Sequence, residues 1–384
     1  MNILIAPNAF KNSLSAEDAA EAICRGISQS GLQCSIQSFP VGDGGDGTAS
    51  LLIKKANGVF KITRARDPMG RIIDTSFGFI DDGNTAVIEM ANISGLRLLG
   101  NRERDPVHAS SYGTGELVRE ALNEGARKIV VGIGGTATVD GGCGILHALG
   151  CRFLDDTKKE LIPIPKNLLR LDSIDESKVD KRIWNTELLV LCDVDNFLLG
   201  EKGAAAIFGP QKGASEKDVI LLENALRKLA GVAFRQTGKD MNAIRHGGAA
   251  GGTAAALNIF LNARLVQGIE YFLDNTGFDE ALQSANLLIT GEGSIDLQTL
   301  EGKAPFGVAR RAKKKNIPVI GLAGIIPDAT NTRLQDYFDI IMSINPPQED
   351  IQSSIRHAAA NLRNAAHQIG KLLASGKPIG KIIT

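Results

Sequence analysis

The residues able to do chemistry in this chain are acids, hydroxyls and a lysine set among glycines. Gly291-Glu292-Gly293 is followed by Asp296 and then Lys303. Paired glycines let backbone turn sharply and approach a ligand closely. An acid, an aspartate and a lysine near a helix start suit an anionic, metal-bound ligand; the alternative is a plain turn with a solvated lysine. Gly42-Asp43-Gly44-Gly45-Asp46-Gly47-Thr48 puts four glycines around two aspartates. A simple turn needs one or two, so this reads as a ligand loop. In the glycine-rich run 132–142, backbone amides and the Thr136 and Thr138 hydroxyls can cradle phosphates. Gly132, Gly134 and Ala137 also fit the GxGxxA dinucleotide pattern. The fit is weak, because the loop is long and the first βαβ unit lacks the pattern; close helix–strand packing is the alternative. In Cys192-Asp193-Val194-Asp195-Asn196, strand alternation puts Asp193 and Asp195 on one face. Like charges that close need a proton or a cation between them, and Mg²⁺ is the oxygen-preferring candidate. One exposed and one capping carboxylate is the alternative. His246 opens a third glycine cluster and reads as a solvated loop histidine.

The elements that must position these groups follow from hydrophobic pattern. Apolar runs at 2–7, 35–41, 287–290, 319–323 and 339–344 fit buried parallel strands. Ser15 with Asp18 caps a helix striped by Ala16, Ala19, Ala20, Ile23 and Ile27. Residues 304–315 form a helix after Lys303, and Ile355 to Ile369 mark a last amphipathic one. Segments 59–66, 71–79 and 85–90 alternate around Asp67-Pro68-Met69-Gly70, a turn sequence, and predict an antiparallel meander. Thr114 is expected to cap a helix that stops at Gly125. Residues 155–181, mixed in charge and broken by prolines, read as a surface excursion. Ser215 and Asp218 form a second capping box. The fold class is therefore α/β. Residues 1–60 and 285–384 are expected to make one discontinuous, doubly wound domain, and 61–284 an inserted α/β domain containing antiparallel strands.

Bulk properties narrow the partners. With 384 residues the chain exceeds one ordinary core. It holds 43 basic and 43 acidic residues, so no net field favours nucleic acid or a membrane surface. The basic run 310–315 ends a helix and is expected to complement its dipole in solvent. Five cysteines without a CxxC suggest reduced, mostly buried thiols. No signal peptide or membrane span is read, and a cytoplasmic protein is expected.

The loops also resemble a known family in their order. Asn8-Ala9-Phe10-Lys11-Asn12-Ser13, Asp43-Gly44-Gly45-Asp46-Gly47-Thr48, Ser111-Tyr112-Gly113-Thr114-Gly115-Glu116, the run 132–142, Cys192 to Asn196, Phe208-Gly209-Pro210-Gln211-Lys212-Gly213 and Thr290 to Asp296 are similar to the bacterial glycerate kinase family, of the type making 2-phosphoglycerate. The resemblance runs from about residue 2 to past 370. It implies ATP-dependent phosphorylation of D-glycerate with Mg²⁺, in glyoxylate or aldarate breakdown. It also implies a flavodoxin-like domain with an inserted α/β domain and an active site in the cleft between them. This chain departs from the family pattern at Asn8, usually Asp, and at Asn12, Asp46 and Val139.

No Walker A sequence is present, so the phosphate cradle must be built otherwise. Gly134, Gly135, Thr136, Gly141 and Gly142, with Gly291, Glu292 and Gly293, are expected to bind nucleotide. Asp193, Asp195 and Asp296 are the expected metal ligands. Lys303 is expected to neutralise the transferred phosphoryl group. Lys11 and Arg66 are assigned to the glycerate carboxylate, and Asn8 to substrate orientation. Asp43 is the expected base, with Asp193 second. A monomer or homodimer is expected. A nicotinamide-dependent oxidoreductase and a non-catalytic nucleotide sensor are the alternatives.

Overall fold

The computed structural model describes residues 1–327, 332–346 and 350–376; positions 377–384 of the first expected domain lie outside these. Chain contacts divide the protein into two units, Met1–Asp43 with Ile269–Thr384, and Gly44–Gly268.

The central strands of the first unit are buried, as near-continuous Ile, Leu and Val predict, while the edge strand Ser35–Ser38 is mostly exposed. Their order is Ser35–Ser38, Asn2–Ile5, Leu287–Ser294, Val319–Ile325, Ile340–Ser343, and every pairing is parallel. Counted within the unit this is 2-1-3-4-5, the flavodoxin-like doubly wound order. Ile3, Ile5, Ile289, Ile320 and Leu322 face Ile23, Ile27, Leu362 and Ile369 in one core. The last four sit on helices Ala16–Gln29 and Ile351–Ala374. These helices cross so closely that a side chain at Gly26 would collide with the Arg363 carbonyl, and one at Gly370 with Ser30. Ser15 caps the first helix by accepting from the Asp18 amide at 3.0 Å.

The second unit holds a six-stranded sheet ordered Arg264–Gln267, Glu187–Cys192, Lys128–Gly132, Thr85–Glu89, Ile72–Ile80, Val59–Arg66. The first four strands run parallel; the meander adds the last two antiparallel. At its turn Asp67 accepts from the Met69 and Arg71 amides, and Gly70 takes a left-handed φ of 85°. Residues 155–181 are more than a surface excursion. Strands Arg152–Leu154, Glu160–Leu161 and Ser173–Asp175 form a small sheet, and Leu161, Leu168, Leu171 and Ile174 are buried in the unit's core. The charged residues between them hide this pattern in the sequence. The helix Tyr112–Asn123 begins before Thr114, whose hydroxyl pairs with Ser94 Oγ at 2.7 Å instead of capping.

The unit boundaries fall at 43/44 and 268/269, whereas the sequence reading puts them near 60 and 285. Helix Thr48–Lys55 explains the first difference: it packs on the strands Ile72–Ile80 and Thr85–Glu89, with Ile53 against Gly78. The second has a similar cause. Ile269 packs where a side chain at Gly307 would stand, 2.5 Å from it, and Phe39 meets Phe278 edge-on at 5.3 Å. No helix among the described residues is long and apolar enough to cross a membrane.

Candidate active site

In the first unit the chemistry collects at the carboxyl ends of neighbouring parallel strands, where open α/β sheets bind ligands. The Asn8 amide donates to the Gly291 carbonyl at 2.9 Å and fixes the loop after strand Asn2–Ile5. The Asn8 side chain donates from Nδ2 to Asp43 Oδ2 at 2.7 Å, and both residues are buried. Glu292, near the end of strand Leu287–Ser294, accepts from Thr299 Oγ1 at 3.1 Å. Burial raises its carboxyl to about 7; Lys303 opposes the rise, Asp43 adds to it, and the Thr299 hydroxyl and Lys11 also oppose it. Lys303 stands at the N-cap of helix Ala304–Lys314, its Nζ 3.9 Å from Asp296 Oδ1. Asn8, Lys11, Asp43, Glu292, Asp296 and Lys303 thus form one cluster. Beside it lies a hollow of about 510 Å³, lined by Phe10, Lys11, Glu292, Lys303, Ile344 and Ile355 among others.

Several expected roles in this cluster have structural competitors. Asp296 caps the turn Leu297–Glu301, accepting from the Thr299 amide at 3.1 Å, and also accepts from Ser294 Oγ at 3.2 Å. Gly291 is required by packing, because a side chain there would collide with the Leu322 carbonyl. Gly293 is different: a side chain there would come no closer than 3.7 Å, to the Lys11 amide, so this glycine leaves open space.

In the second unit the loop 132–142 spends much of its backbone on the fold. The Gly134 amide donates to the Gly44 carbonyl, Gly141 to Gly251, and Gly142 to Asp140 Oδ1, each at 3.0 Å. The buried Asp140 carboxylate also accepts from the Ser111 amide and hydroxyl and from the Gly144 amide. Gly134, Gly141 and Gly142 therefore shape the loop with amides already engaged. Gly135 turns with φ 70° beside Asp46, and its carbonyl accepts from Leu96. Thr136, next along, is met by a group to which the sequence reading gave no role. Lys212 donates from Nζ to Thr136 Oγ1 at 3.1 Å and to the Thr138 carbonyl at 2.7 Å. It is only 3% exposed. Burial pushes its amine down to about 7, with the charge of Asp140 opposing. The motif Gly209-Pro210-Gln211-Lys212-Gly213 was visible, but nothing in it says that the lysine turns inward.

The acid pair differs from expectation. Strand Glu187–Cys192 ends before it, so Asp193 and Asp195 lie in the following loop and strand alternation does not align them. Arg245 grips Asp195 with Nε at 2.7 Å and Nη2 at 3.0 Å, and this pairing lowers the Asp195 carboxyl pKa. His246 is not solvated: Nδ1 lies 2.7 Å from the Val194 carbonyl and 3.3 Å from Asp195. Among the described residues no group of three or more His, Cys, Asp or Glu is arranged to hold a metal. The Arg66 guanidinium is engaged by Glu116 and lies over the Tyr112 ring, 5.2 Å from its centroid.

A family model described as the glycerate kinase family matches residues 3–374. The chain belongs to the glycerate kinase family. It is 42% identical over 377 residues to a glycerate kinase of Bacillus subtilis (strain 168), covering 98% of this chain and 99% of that one. A glycerate 2-kinase of Escherichia coli (strain K12) is 41% identical over 376 residues, with the same coverage. A crystal structure described as glycerate kinase 2 from Salmonella typhimurium LT2 aligns with a TM-score of 0.79 at 39% identity, over 98% of this chain and 99% of that one. The protein is thus a kinase, and the nicotinamide and sensor readings are set aside. Kinase chemistry calls for cations near the moving phosphoryl group and an acceptor for the hydroxyl proton. The first unit offers both, in Lys11 and Lys303 and in the carboxylates of Asp43 and Glu292.

Proposed function

We propose that this kinase transfers the terminal phosphoryl group of ATP, with Mg²⁺, to the 2-hydroxyl of D-glycerate, giving 2-phosphoglycerate and ADP. The observation that carries the reading is the buried Asn8–Asp43 pair beside Glu292, facing Lys11 and Lys303. Names of relatives support the choice of acceptor. Asp43 takes the proton of the acceptor hydroxyl, and Asn8 holds it in place. Lys11 pairs with the glycerate carboxylate, and Lys303 offsets charge on the transferred group. Arg66, engaged by Glu116, is left without a role. Gly135 and Thr136 meet nucleotide phosphates.

Mg²⁺ is commonly held by one or two carboxylates together with substrate phosphates. Asp193, Asp195 and Asp296 are the carboxylates assigned to it, although Arg245 grips Asp195 and Asp296 caps a turn. The ion would offset the negative charge of the nucleotide phosphates. Glycerate consumption of this kind belongs to glyoxylate or aldarate breakdown in the cytoplasm.

A coupled ADP-release assay with D-glycerate, followed by NMR of the product, tests the reading. Glycerate-dependent ADP and 2-phosphoglycerate are expected. ADP release indifferent to D-glycerate would overturn it, and 3-phosphoglycerate would overturn its choice of hydroxyl.

A further inference from the structure

The buried lysine in the second unit is placed to control what a threonine hydroxyl can offer a ligand. An ammonium group only donates. When Lys212 Nζ donates to Thr136 Oγ1 at 3.1 Å, the Thr136 O–H must point away from it. Thr138, fully buried on the same loop, carries an Oγ1 with no hydrogen-bond partner among the described residues, while its carbonyl takes the second Lys212 bond. Gly135, in a left-handed conformation, precedes Thr136 and keeps the loop tight there.

We propose that Lys212 is a positioning residue for phosphoryl recognition: it fixes Thr136 Oγ1 as an acceptor and so presents the Thr136 O–H as a donor to a nucleotide phosphate oxygen. The inference rests on the reading that this loop meets nucleotide phosphates. It goes beyond that reading by making recognition depend on the protonation of Lys212. Once deprotonated, Nζ can accept, the Thr136 O–H can turn inward, and the donor to the ligand is lost. The charge that acts on Lys212 is that of Asp140, already bonded by Ser111, Gly142 and Gly144; Arg104 packs its backbone and Cβ against the neighbouring Gly213. Since burial places the lysine near 7, binding of a phosphate anion should draw a proton onto it.

The test is calorimetric titration of the full chain with MgATP between pH 6.5 and 9, in buffers of low and high ionisation enthalpy. Wild type is expected to take up a proton on binding and to weaken as pH rises. Thr136→Val keeps the side-chain shape and removes the donor. It is expected to weaken MgATP about tenfold to a hundredfold and to flatten the pH dependence. Lys212→Met should lose a comparable factor and the proton uptake; should it fail to fold, Thr136→Val decides alone. Wild-type affinity and pH dependence in Thr136→Val overturn the positioning role, and glycerate-dependent turnover by the same preparation shows that the kinase reading survives. If wild-type protein binds no MgATP, the underlying reading falls, and the inference with it.

Discussion

Asn8 and Asp43 share a 2.7 Å hydrogen bond within a cluster that also holds a carboxyl titrating near 7. An amide at position 8 keeps a second charge away from Asp43. Asn8→Asp would put two carboxylates within hydrogen-bond distance, and such a pair retains one proton well above the ordinary range. The acid limb of the kcat/KM profile is therefore expected to move to higher pH, with turnover reduced about tenfold or more at pH 7. An unmoved limb would remove Asp43 as the base. Glu292 makes a separate prediction about stability. Its folded-state carboxyl lies above the ordinary value, so between about 4.5 and 7 the folded protein binds more protons there than the unfolded chain. The contribution to stability is complete below that window and is lost as pH rises through 7. Glu292→Gln should flatten this part of the pH dependence, read as the difference in denaturant midpoints at pH 5 and pH 7.5. Of these residues, Asp43, Lys303 and Glu292 could be singled out from sequence because glycines or a helix start flank them. Lys212 could not, because the direction of its side chain is decided by a loop more than 70 positions away.

Elements carry the charges that the sequence assigned to solvent. The basic run at the helix end predicts a solvated Arg311. Its side chain is instead 11% exposed and pairs with Glu270, Asp274 and Asp279, tying helix Ala304–Lys314 to helices Gly268–Asp274 and Phe278–Gln283. Asp274 and Asp279 remain well exposed, so losing the arginine leaves them in water and the cost stays below that of a fully buried pair. Arg311→Leu is expected to lower unfolding free energy by about 1–3 kcal/mol, measurable by urea denaturation, while KM for D-glycerate stays within about twofold. Glu89 is a device of another kind. It accepts from the Gly47 and Ala49 amides at 2.8 and 3.0 Å, at the N-terminus of helix Thr48–Lys55. That helix has no side-chain cap of its own, and an acceptor there satisfies donors left over at a helix start. Periodicity could find the helix, but it cannot reveal that its cap arrives from a strand forty positions later.

At the scale of the molecule, the central strands of the discontinuous sheet are legible because they are buried and their apolar runs are unbroken. The boundary near Gly44 was not, since it depends on which sheet the helix Thr48–Lys55 packs against. That division has a consequence for folding. The segment Gly44–Gly268 holds a sheet and a hydrophobic core of its own, from Phe77 and Ile88 through Val131 and Leu226 to Phe260. The other unit cannot form from its N-terminal piece. Without Leu287–Ser294 and Val319–Ile325, the strands Asn2–Ile5 and Ser35–Ser38 have only each other to pair with. A two-stranded parallel remnant has too little core to hold together. The fragment 44–268 expressed alone is therefore expected to fold, with a cooperative urea transition and slowly exchanging amides in strands Lys128–Gly132 and Glu187–Cys192. Truncation of the full chain at residue 268 should give the same single transition, with residues 1–43 exchanging as an unfolded tail. A fragment 44–268 that melts without cooperativity would mean that this core depends on the rest of the chain, and the division into units would then describe packing but not folding.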